Sequence, residues 1–150
     1  MSGVIVVGID GSDGSERALE WAAAEARTRN ASLKLVTAWH LSPAMYSGIG
    51  WAGLDAEVIK GLREVAEQQL DETWKQHAKS LDGLDVERIV SEDAAAQALL
   101  DAAKGADLLV VGTRGHGGFT GLLLGSVSQQ CAHHSPCPLV IVPPEHRPAK

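Results

Sequence analysis

Two residues separate Gly112 from Gly115, and after a further nine residues Gly125 and Ser126 follow, all directly behind the apolar run Asp107 to Gly112. That spacing suits the binding of an anion. Glycines at 112, 115, 117, 118, 121 and 125 leave out the Cβ atoms that would keep backbone N–H groups from closing around a phosphate. Ser126 to His133 has the composition to open a helix, whose free N–H groups and positive dipole end would favour negative charge at Gly125 and Ser126. A second group that could do chemistry is Asp10, in Gly8-Ile-Asp-Gly-Ser12 at the end of the first apolar run. Its carboxylate could accept a ribose hydroxyl or help to hold hydrated Mg²⁺ on phosphates, or it could cap the next helix through an Asx-turn.

Other polar residues are weaker candidates. Arg114 and His116 lie within the glycine segment and could reach a terminal phosphate, or simply be solvated. His133 and His134 are adjacent in a predicted helix, so they point about 100° apart, a poor geometry for one metal; one packed and one exposed ring is expected. Cys131 and Cys137 form no Cys-x-x-Cys pair and are expected to be reduced, packed thiols. No Gly-x-x-x-x-Gly-Lys-Ser/Thr occurs, and no lysine or general base is evidently aimed at phosphate. At most slow hydrolysis is expected, since phosphoryl transfer needs groups that stabilise charge at the γ-phosphate and orient water.

The elements that must position these groups are legible as alternating patterns. Strand-like runs recur at Val4 to Ile9, Leu33 to Trp39, Val86 to Val90, Leu108 to Val111 and Leu139 to Val142. Between them the spacing predicts helices from Ser15 to Arg29, from Asp55 to about Ser80, from Asp93 as N-cap to Lys104, and from Ser126. Strand and helix in regular alternation imply right-handed βαβ crossovers: a single-domain α/β three-layer sandwich, flavodoxin-like or Rossmann-like, with a five-stranded parallel sheet. In the order 3-2-1-4-5 the strand order reverses between the first and fourth strands. Asp10 and the glycine segment would then face each other across about 5 Å. The long segment Leu41 to Gly53 leaves the ligand-binding edge and is read as a lid, a partner contact or plain disorder; 143–150 is read as a frayed tail.

Composition narrows the function. The chain has 150 residues, few aromatics and a formal charge of −6. One domain with an aliphatic core is expected, and general nucleic-acid binding is disfavoured because clustered cations are missing. No basic region precedes the first apolar run, so neither a signal peptide nor a membrane span is expected, and a cytoplasmic protein is.

The Gly-Ile-Asp-Gly-Ser turn and the Gly112-x2-Gly115-x9-Gly125-Ser126 pattern resemble the universal stress protein family over nearly the whole chain. The resemblance implies a flavodoxin-like dimer of the subset that binds ATP, acting in stress response as a regulatory nucleotide binder. It implies that Asp10, with Gly11 beside it, meets the ribose and metal side, that backbone around Ala38 meets adenine, and that Gly112, Arg114, Gly115, Gly125, Ser126, Val127 and Ser128 line ribose and phosphates, with Mg accompanying the nucleotide. It also implies that Leu139 to Val142 pairs with its copy in a homodimer, which would cover an apolar edge strand. Left open are a slow nucleotide hydrolase or a phosphoryl or adenylyl transferase in the same crevice, a preference for AMP or a cyclic nucleotide, and a scaffold without a working site.

Overall fold

The computed structural model describes residues 3–40, 56–113 and 124–144. Among them, β1 (Val4–Gly8), α1 (Asp13–Arg29), β2 (Ser32–Trp39), α2 (Ala56–Gln76), α3 (Ala78–Leu81), β3 (Val86–Glu92), α4 (Ala95–Ala102), β4 (Leu108–Gly112), α5 (Ser126–His134) and β5 (Leu139–Val142) follow in chain order. The strands form one sheet in the order β3-β2-β1-β4-β5, every pair parallel. This is the expected 3-2-1-4-5 arrangement.

Two-residue alternation along the strands divides the core into two layers. Ile5 and Val7 of β1, Leu33 and Leu35 of β2, and Leu108 and Val110 of β4 join Ala18, Leu19, Ala22, Ala26 and Leu70 on the side covered by α1 and α2. Val6, Val36, Leu109 and Val111 join Ala98, Leu99 and Cys131 on the side covered by α4 and α5. Small alanines on α1 let the helix approach the sheet closely. Each fully buried Ile, Leu or Val contributes about 1.5–3 kcal/mol of burial.

Local chemistry sets the helix ends. Ser12 caps α1 by accepting from the Ser15 N–H at 3.2 Å, and Asn30 closes it at φ 55. α2 carries ion pairs at i,i+4, Arg63–Glu67 at 2.8 Å and Lys75–Asp71 at 3.1 Å, all exposed to solvent that screens them.

Three expectations are corrected. The helix predicted from Asp55 to Ser80 is two: His77 leaves helical geometry at φ −108, ψ 19 and separates α2 from α3. The hydrophobic spacing continues across the break, but His77 turns toward α1, where its Nδ1–H donates to Glu20 Oε2 at 2.6 Å and Ser80 Oγ donates to Glu20 Oε1 at 2.7 Å. Asp93 is not the N-cap of α4; Ala94 is, and Asp93 Oδ1 instead accepts from the Ala94 N–H at 2.9 Å. His133 and His134 are both exposed, because the inward face of α5 is taken by Ser128 and Cys131. Arg114, Gly115, His116, most of the glycine segment, Leu41 to Gly53 and most of the tail lie outside the described residues.

Candidate functional site

The turn after β1 is held by its own side chains. The Ile9 N–H donates to the Val36 carbonyl at 2.9 Å, extending the sheet by one residue. Asp10 Oδ1 then accepts from the Ser12 N–H at 2.9 Å and from Ser12 Oγ, while the Asp10 N–H donates to Ser15 Oγ at 3.3 Å. Asp10 therefore makes the Asx-turn that its type allows. Its second carboxylate oxygen makes no hydrogen bond among the described residues. Gly11 has φ +79, and a Cβ there would lie 2.6 Å from Nε2 of Gln69 on α2, so both the turn and its neighbour require glycine.

Across the switch point, β4 ends at Gly112, where a Cβ would lie 2.8 Å from the backbone carbon and oxygen of Gly14. The start of α1 is thus packed directly on the end of β4. The Thr113 carbonyl accepts from the Gly125 N–H at 2.7 Å and from Ser128 Oγ at 2.7 Å. These bonds bring the two ends of the glycine segment together and set the origin of α5. Gly125 caps α5 without a side-chain bond, and the Gln129 N–H is the first to close on a helix carbonyl, that of Gly125 at 3.0 Å. The N–H groups of Ser126, Val127 and Ser128 precede that bond, as the first turn of any helix requires.

Both halves line one cleft of about 320 Å³ at the C-terminal edge of the sheet. Of the residues expected from sequence, Asp10, Ala38, Gly112, Gly125, Ser126, Val127 and Ser128 line it. Gly11 shapes the turn beside it. Val36, Ala38, Leu99 and Val111 give the cleft an apolar wall, whereas Asp10, Ser12 and Ser126 supply polar groups. Asp10 is the one titratable residue among the described lining residues, so no described cation or imidazole faces the cleft. Nor do the described residues contain a group of three metal-ligating side chains.

Sequence reasoning missed Ser12, Ser15, Gln69, Ala95 and Leu99 as parts of this wall. Ser12 and Ser15 were legible as helix-start residues, and Leu99 as an inward-facing residue of α4. Gln69 sits on a helix whose neighbours at 67 and 68 are exposed, and it carries no pattern that distinguishes it from them.

The sequence pattern of the Universal stress protein family matches residues 1–143. The chain belongs to that family. A universal stress protein of Mycolicibacterium smegmatis is 33% identical over 148 residues, covering 92% of this chain and 47% of its own length. Universal stress protein Rv2623 of Mycobacterium tuberculosis is 33% identical over 138 residues, covering 91% and 44% respectively. The chain therefore spans about half the length of these curated relatives. Among solved structures, a universal stress protein in complex with cAMP is 32% identical with a TM-score of 0.69, covering 93% of this chain and 96% of its own. Universal stress protein UspA from Lactobacillus plantarum, at 20% identity, shares the fold with a TM-score of 0.75 over 93% and 97% of the two chains. The five-stranded parallel sheet with its flanking helices is thus the fold of the family.

Proposed function

We propose that the chain is an ATP-binding universal stress protein that uses the nucleotide as a regulatory ligand and hydrolyses it slowly or not at all. The observation that carries this reading is the convergence, in one cleft where the strand order reverses, of the Asp10 turn with the open first-turn N–H groups of Ser126, Val127 and Ser128. Open parallel sheets bind ligands at that place, and a helix N-terminus favours phosphate. In the proposed arrangement Asp10 takes the ribose side, the backbone at Ala38 meets adenine, and Gly112, Arg114, Gly115, Gly125, Ser126 and Val127 surround ribose and phosphates. Ser128 acts through Thr113, because its hydroxyl hydrogen is already directed at protein carbonyls.

Mg²⁺ would be carried by the phosphates, with Asp10 the nearest described carboxylate. The lack of a lysine, arginine or histidine among the described lining residues, to stabilise charge developing at the γ-phosphate, supports binding over turnover. A second reading, preference for a cyclic nucleotide or AMP, is favoured by the 32% identical relative being a complex with cAMP. The proposed homodimer pairs β5 with its copy and covers Leu139, Val140 and Ile141, which are only half-buried in one chain. No helix among the described residues is long and apolar enough to cross a membrane, which is compatible with the proposed cytoplasmic location.

A thermal-shift titration with Mg-ATP, on protein shown by native mass spectrometry to be free of copurified nucleotide, tests the reading. A rise in Tm that Gly115→Val abolishes is expected. No shift at millimolar ATP, AMP and cAMP would sink it. Native mass spectra of the same sample report the subunit number.

A further inference from the structure

Gln69 is the one cleft residue contributed by α2, and its amide makes no hydrogen bond among the described residues. It is held against the Asp10 turn by shape. The hypothetical Gly11 Cβ would lie 2.6 Å from Gln69 Nε2 and 3.1 Å from its amide carbon, so the missing side chain at Gly11 is the space that the amide occupies. Leu70 and Ala66, both buried, fix the same turn of α2 on the sheet and leave Gln69 little freedom to move away from the cleft.

The neighbouring carboxylate has a complementary deficit. Asp10 Oδ1 is taken by Ser12, while its other oxygen lacks a hydrogen-bond partner among the described residues. A carboxylate oxygen accepts, and an amide both donates and accepts. Side by side at one turn, they match two adjacent hydroxyls: one donates to Asp10, and the other exchanges a hydrogen bond with Gln69. The other polar side chains at that turn, Ser12 and Ser15, direct their hydroxyl hydrogens at Asp10 Oδ1 and the Ser12 carbonyl, so Asp10 and Gln69 are the two side chains placed to read a vicinal diol.

From this geometry we infer that Gln69 is a specificity-determining residue that, with Asp10, selects nucleotides carrying a free 2′,3′-diol over ligands in which one or both hydroxyls are missing or esterified. The inference rests on the ATP reading above, not on the cyclic-nucleotide one, whose ligand has an esterified 3′-oxygen, and adds to it a sugar preference and the residue that sets it. It also gives the helix after the second strand a direct part in ligand recognition.

The test crosses two ligands with two proteins: ATP and 2′,3′-dideoxy-ATP titrated calorimetrically into the wild type and into Gln69→Met, which keeps chain length and helix propensity but removes the amide. Wild type is expected to prefer ATP by tenfold or more. Gln69→Met should lose about five- to tenfold in affinity for ATP, as for one hydrogen bond, while binding dideoxy-ATP within twofold of wild type. Equal losses for both ligands, or no loss for either, would overturn the inference and leave the nucleotide reading intact. A wild type that binds neither ligand overturns both. Gln69→Asn, which keeps an amide on a shorter arm, should recover part of the sugar preference if the amide is responsible, and none if the defect in Gln69→Met is one of packing.

Discussion

Ser128 Oγ donates to the carbonyl of Thr113 across 15 residues of chain at 2.7 Å, and so ties the first turn of α5 to the end of β4. The same hydroxyl is 3.1 Å from the Gly125 carbonyl. Ser128→Ala should therefore destabilise the protein by about 1–2 kcal/mol, the cost of a lost buried hydrogen bond. It should also weaken nucleotide binding, although Ser128 is given no phosphate contact. Urea unfolding and an ATP titration of the same variant measure both effects; full affinity would mean that the tie does not position the N–H groups of α5.

Gly112 and Gly61 make a matched pair of substitutions. A methyl at Gly112 would meet the Gly14 backbone at 2.8 Å, which cannot turn aside as a side chain could. Gly112→Ala should cost about 1–3 kcal/mol through overpacking. Gly61, inside α2, has nothing within 4 Å of its hypothetical Cβ. Gly61→Ala should instead stabilise by about 0.5–1 kcal/mol, the helix preference for alanine. Opposite shifts of the urea midpoint are the expected result.

The Glu20 cluster sets a pH dependence. Burial raises the Glu20 pKa, but hydrogen bonds from Ser80 and His77 and the His77 charge outweigh it, and the carboxyl titrates below its usual 4.5. A depressed carboxyl stabilises the fold above its unfolded value and loses that contribution as pH falls through the folded one. The stability gap between wild type and Glu20→Gln should thus hold at pH values above the usual 4.5 and close as the pH falls below it. Urea midpoints of both proteins across that range check the sign; a gap that widens on acidification would contradict it.

The two thiols should differ sharply in reactivity. Cys131 is fully buried, and burial pushes its pKa up to about 11. Cys137 is half-buried. In native protein a thiol-specific reagent should modify Cys137 first and reach Cys131 only on unfolding, because the thiolate is the reactive species. Peptide mapping after brief labelling distinguishes the two.

The sheet was legible in the sequence because each strand is a short run of branched apolar residues closed by polar or turn residues. β3 runs two residues beyond its expected end because Ser91 and Glu92 pair with Ala38 and Trp39 through the backbone, and backbone pairing leaves no hydrophobic trace. The break at His77 was hidden for a similar reason: Leu70, Trp74 and Leu81 keep helical spacing across it, while the cause lies on α1, 57 residues earlier at Glu20. At the cleft, lining residues whose type and local spacing mark them in the sequence, such as Asp10 and Ser126, were named from it. Gln69 was not, since its significance comes from a gap left by Gly11 on another element. Gly112 was expected to free backbone for an anion; it also accommodates Gly14, a requirement visible only once α1 and β4 are side by side.

The clasp between Thr113 and Gly125, 2.7 Å from nitrogen to oxygen, also bears on what evolution or an engineer can alter cheaply. Because Thr113 and Gly125 are joined through the backbone, the junction of β4 and α5 is set by residues that lie outside the stretch 114–124. Insertions between these two residues should therefore leave the sheet standing while disrupting the proposed phosphate site, which separates the stability of the scaffold from its binding.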